Sequence, residues 1–187
     1  MGNKLIILAF ATIIATPGFA QLSEERTPPL FNDNPAVQIL DRAITSYIRT
    51  RVALDKTLSK YPLKISTVDG IVLLSGNLQL DQEASDAIEL SASTPGVKEV
   101  DASMLSIKKN KLPFNDLAIT AKINGAYSRE QLWGNEEVTV ATIDVATKNG
   151  VVYLSGNAVD NAQKQTAIKL AESIPGVVWV SSSIKVD

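Results

Sequence analysis

Apolar positions in this chain change period several times, and the same series of changes is run through twice. Ala36, Leu40, Ala43, Ile44, Tyr47 and Ile48 recur every three or four residues and predict a helix over 35–50. Asn34-Pro35 stands ahead of it as a capping residue followed by proline in the first turn. Leu63, Ile65 and Thr67 then alternate with polar residues, and the run from Ile71 to Ser75 returns. Asp69-Gly70 lies between the two runs and tolerates the left-handed backbone of a tight hairpin turn. Ala84, Ala87, Ile88, Ser91 and Ala92 form a second helical stripe, with Asp81 as the expected cap and Pro95-Gly96 as the stop. A last strand carries Val100 and Met104.

The second half repeats this order. GIVLLSGN at Gly70 matches GVVYLSGN at Gly150, and TPGVKEV at Thr94 matches IPGVVWV at Ile174, both at an offset of 80 residues. DRAITSYI at Asp41 matches DLAITAKI at Asp116 at an offset of 75, so the second copy carries about five extra residues between Asn124 and Val140. Asn115 or Asp116 is the expected cap of its first helix, which bears Ile119, Ile123 and Ala126. Asn149-Gly150 supplies its hairpin turn, and Asp160 starts a helix presenting Ala167, Ile168 and Ala171. Val180, Ile184 and Val186 lie on its last strand. The fold class is therefore α+β: two tandem α-β-β-α-β modules, each a three-stranded sheet packed with two helices. The expected boundaries are 36–107 and 116–187, with residues 108–115 as linker and 21–35 as a flexible tail.

The helix, the Gly-Ile/Val-Val-x-Leu-Ser-Gly hairpin, the alanine-rich helix and the Gly-Val-x-x-Val strand resemble BON domains, named for bacterial osmotically inducible and nodulation proteins. The resemblance covers residues 36–107 and 112–187. It implies a non-enzymatic module of the cell envelope. The family is associated with phospholipid binding, outer-membrane integrity and osmotic or envelope stress, and some members are periplasmic chaperones. The shared motif is made of glycine and apolar positions that determine the fold, so the resemblance transfers architecture rather than binding residues.

Composition narrows the chemistry. The 187 residues include no His and no Cys. Zinc, copper and iron sites built on imidazole or thiolate are excluded, as are His-dependent nucleophilic sites and disulfides. No cofactor or metal is expected. Lys4, the apolar run Leu5–Thr16, and small residues at Gly18 and Ala20 read as a secretory signal peptide over residues 1–20, cleaved between Ala20 and Gln21. Without a Cys at that point, lipoprotein processing is not expected, and the resemblance implies the periplasm as the place of the mature protein. Loss of Lys4 leaves 17 basic against 20 acidic residues, a net charge of −3. That balance argues against nucleic acid as a partner.

Local basic clusters remain. Lys108, Lys109 and Lys111 in the linker, with Lys122, Tyr127, Arg129 and Trp133 around the first helix of the second module, combine cations with aromatic rings. That combination suits the headgroup layer of an anionic phospholipid membrane. Tyr127 and Trp133 read equally well as core cover. Arg42, Arg49, Arg51 and Lys56 form a second basic face, to be weighed against a plain solvated helix surface. Trp179, whose repeat counterpart is Glu99, is a candidate contact either between the modules or with a partner. Peripheral lipid binding is the leading expectation. Chaperoning of unfolded or envelope proteins is the alternative, with an adaptor role behind it, and the absence of an acid–base constellation leaves an enzyme last.

Overall fold

A computed structural model of the chain describes residues 34–133 and 143–186. The expected signal-peptide residues, including Ala20 and Gln21, lie outside the described residues. Helix α1 (Pro35–Leu54) starts where Asn34 accepts a 3.0 Å hydrogen bond from the Ala36 amide, and it runs four residues past the predicted end. Strands β1 (Lys64–Val68) and β2 (Ile71–Leu80) form the hairpin, followed by α2 (Asp81–Ala92) and β3 (Glu99–Lys109). The second module contains α3 (Phe114–Trp133), β4 (Ile143–Lys148), β5 (Val151–Ala158), α4 (Asn161–Glu172), β6 (Trp179–Ser182) and β7 (Lys185–Val186). In both sheets the middle strand pairs antiparallel with the first and parallel with the third, because a helix carries the chain back before the third strand. The order is β1-β2-β3 and β4-β5-β6, with β7 also on β5.

A buried carboxylate ties the first helix of each module to its hairpin. Asp69 and Gly70 adopt φ of 54° and 81°, and Asn149 and Gly150 adopt 51° and 76°. Asp41 accepts from the amides of Asp69 and Gly70 at 2.8 and 2.9 Å. Asp116 accepts from those of Asn149 and Gly150 at the same distances. Each bond has an ionised acceptor, which makes it worth about 1.5–3 kcal/mol. Asp116 is therefore not the expected cap: α3 begins at Phe114, and the carboxylate is used by the turn.

Other expectations are corrected. Lys108 and Lys109 belong to β3, and Phe114 and Asn115 to α3, so only residues 110–113 link the two elements. Asp81 is the first residue of α2 rather than its cap; Glu83 accepts from the amides of Gln79 and Leu80 instead. Met104 is exposed and Leu105 buried, because an irregularity in the β2–β3 register inserts one extra residue into β3. In α1 the core takes Ile44, Ile48 and Val52, while Leu40 and Tyr47 from the predicted stripe face outward.

There are two cores, and α3 serves both. Ile119, Ile123 and Tyr127 pack into the second, whereas Leu117, Ala118 and Ala121 join the first beside α2. Helices α2 and α3 approach each other closely at Gly125. A Cβ there would stand 2.6 Å from both the Ala92 Cβ and the Glu89 carbonyl oxygen. Replacing glycine in a helix returns up to about 1 kcal/mol of propensity. Overpacking against a rigid backbone atom costs about 1–3 kcal/mol, so the clash wins. Gly125→Ala is expected to lower unfolding free energy by about 1–2 kcal/mol in urea titration. Thr50→Ala, at the exposed counterpart on α1, is expected to change it by less than about 0.5 kcal/mol.

Candidate functional site

The end of β3 and the linker together present three exposed cationic candidates. Asp81 Oδ2 accepts hydrogen bonds from the amides of Lys111 (2.8 Å) and Leu112 (3.1 Å). Asn110 Oδ1 also accepts from the Leu112 amide, at 3.1 Å. These bonds hold the four-residue connection in one shape. Lys108, Lys109 and Lys111 are exposed, and Leu112 beside them is 55% exposed. The result is an ordered, exposed segment that carries three cations and one leucine within five residues. Leu112 and the Asp81 tie were not singled out from sequence. The signal was there: the repeat register sets Asp160, a true cap accepting from Gln163 at 2.7 Å, opposite Leu80, leaving Asp81 free for another role.

Two of the remaining residues of the first group, Tyr127 and Arg129, serve the fold. Tyr127 is buried, its hydroxyl donates to the Ala167 carbonyl at 2.8 Å, and burial pushes its phenol pKa up. Arg129 donates to the carbonyls of Ala92 and Val97 at 3.1 and 2.9 Å, joining α3 to the first module. Lys122 is half-buried; desolvation lowers its pKa against the opposing pull of Glu99 and Asp101. The Trp133 side chain lies outside what the structure describes.

The second basic group is also divided. Arg49 donates to the Ile65 carbonyl at 2.6 Å. Arg51 donates to the Leu90 carbonyl and the Ser93 hydroxyl at the end of α2, with its guanidinium 5.9 Å from the Tyr47 ring centre. A cation placed there complements the negative helix terminus. Lys56 lies beyond the end of α1, so it does not continue the helical face of Arg42 and Arg49. Arg42 and Arg49 border an open groove of about 880 Å³ between α1 and the β1 edge, with Thr45, Ser66 and Thr67. Trp179 is 67% exposed and does not pack between the modules.

Glu83 is the acidic group most embedded in the structure. Burial would raise its pKa, but a 2.6 Å hydrogen bond from the Tyr61 hydroxyl and two from backbone amides outweigh burial and hold it below the usual range. As pH falls, the unfolded chain therefore takes up this proton first. The contribution of Glu83 to stability is complete above a pH of about 4.3 and is lost as pH falls below it. Thermal melts from pH 7 to pH 3 are expected to show a shallower acid loss in Glu83→Gln than in the parent. No group of His, Cys, Asp and Glu that could hold a metal occurs among the described residues, and no described helix is long and apolar enough to cross a membrane.

Comparison with known proteins finds one family twice within the chain. The family model described as BON domain fits residues 40–109 and again 115–187. Osmotically-inducible protein Y of Escherichia coli (strain K12) is 26% identical over 152 residues, covering 78% of this chain and 72% of the relative. The 21 kDa hemolysin of Actinobacillus pleuropneumoniae is 25% identical over 154 residues, covering 82% and 77%. Among solved structures, the C-terminal domain of CdsD, a structural protein of the type III secretion system of Chlamydia trachomatis, covers 79% of this chain and 67% of its own at 17% identity and a TM-score of 0.31.

Proposed function

The chain belongs to the BON-domain family, and from that premise we propose that it is a non-enzymatic periplasmic protein of the osmotic-stress response that docks peripherally on anionic phospholipid. The likeness to an osmotically inducible protein over most of both chains supports the stress role. The observation that carries the lipid reading is the ordered, exposed segment in which Lys108, Lys109 and Lys111 accompany the exposed Leu112. Cations close to an anionic surface contribute about 1 kcal/mol each, and an apolar tip adds burial below the headgroups. Asp81 pre-shapes the loop, so little conformational entropy is lost on contact. The same physics makes binding weak, reversible and sensitive to salt.

Co-sedimentation with vesicles of phosphatidylglycerol and phosphatidylcholine, against phosphatidylcholine alone, tests this. Binding is expected only to the anionic vesicles at low salt and is expected to disappear at high salt. Changing all three lysines to Gln removes about 3 kcal/mol of attraction, so partitioning is expected to fall roughly 100-fold. Equal binding to both vesicle types, or unchanged binding by the triple variant, would sink the assignment. Suppressed aggregation of an unfolded client without any vesicle preference would favour the chaperone role instead.

A further inference from the structure

The joint between the two modules has two complementary sides, and the counterpart of each side recurs, exposed, at the other end of its module series. One side is the outer surface of α2 with residues 97–101; the other is α3. Between them lies a crevice of about 30 Å³ bordered by Lys98, Glu99, Lys122 and Arg129. The repeat register carries the first side onto α4 with residues 177–181, and the second onto α1. There Val178 stands for Lys98, Trp179 for Glu99, Tyr47 for Lys122 and Leu54 for Arg129.

The four charged residues that border this crevice are thus replaced by apolar ones at the free ends, two on each half, whereas Asp101 is replaced by Ser181 and Leu117 by Arg42. Val178, Trp179, Tyr47 and Leu54 are 75%, 67%, 45% and 79% exposed. Ends that meet only water would keep charge at no cost. A concerted change to apolar side chains on two complementary surfaces is what a desolvated contact requires. We propose that the α1 face of one copy docks on the α4–β6 end of a second copy, head to tail, as α3 sits against α2 within the chain. The spacing is wider than inside the chain, because the small pair Ala92 and Gly125 is replaced by Glu172 and Thr50. Trp179 and Tyr47 supply the bulk that fills it. Since each copy offers a different surface to each neighbour, two copies leave one free surface of each kind, and assembly continues to a ring or an open run.

Sedimentation velocity of the purified protein over a range of concentrations tests this. Mass is expected to grow past the dimer. Tyr47→Lys and Trp179→Glu are each expected to weaken association at least tenfold. At high salt, where any lysine–glutamate pairing of the altered surfaces is screened, mixing these two single variants is expected to restore a one-to-one pair, because one retains the intact α1 face and the other the intact α4–β6 end. The double variant copies the internal lysine–glutamate juxtaposition and is expected to regain association at low salt. A monomer at all concentrations overturns the proposal, as does growth that stops at a dimer, or a mixture of the single variants that fails to pair. The lysines at 108–111 belong to neither surface, so vesicle binding by the same variants reports separately on the lipid reading.

Discussion

The contact of Gly125 with the backbone of α2 governs where everything after residue 114 can sit. A helix normally answers to one core. Helix α3 answers to two: Ile119 and Ile123 are committed to the second sheet, while Leu117, Ala118 and Ala121 are committed to the first core. Both commitments hold together only if α2 and α3 lie close enough for small residues to meet. Glycine at 125 and alanine at 92 provide that distance, and Arg129 fixes it from the end by two hydrogen bonds to the first module. The modules are consequently a packed pair rather than two bodies on a tether, and the linker between them is reduced to four residues.

Beneath this joint, each module rests on the same polar anchors. An aspartate on the first helix grips the hairpin turn through two amides, as Asp41 or Asp116. A threonine pair, Thr45 with Thr67 or Thr120 with Thr147, links the same helix to the first strand at 2.8 Å. Glu83 or its counterpart Gln163 reaches back to the chain just ahead of the second helix. The aspartate and threonine bonds bear on one helix and one hairpin each, and both copies make them at the same distances.

That division explains how the charged and aromatic residues are distributed. Lys122, Tyr127 and Arg129 look like interface chemistry when read along one helix, yet packing consumes them: the phenol satisfies a buried carbonyl, and the guanidinium caps two others. Arg49 and Arg51 are likewise held by backbone carbonyls of neighbouring elements. Lys108 and Lys109 at the end of β3 and Lys111 in the linker escape because the chain must turn in solvent to begin α3. That turn depends on Asp81, which is 30 residues from Lys111 in sequence and joins it only through the fold.

The residue pattern alone settled the two α-β-β-α-β modules, the turn residues at Asp69-Gly70 and Asn149-Gly150, and the stripe of Ala84, Ala87 and Ile88, because those features follow from local periodicity and backbone preference. It left undetermined which side of a helix would be covered. Tyr47 falls on the apolar spacing of α1 yet stays exposed, while its counterpart on α3, Lys122, is half-buried. Only the tertiary arrangement decided this, since burial depends on what stands opposite a side chain and not on the side chain itself. The same holds for Asp81, Asp116 and Arg129: each has a familiar local role at a helix end or on a solvated face, and each is instead claimed by a backbone group that folding brings within 3.1 Å.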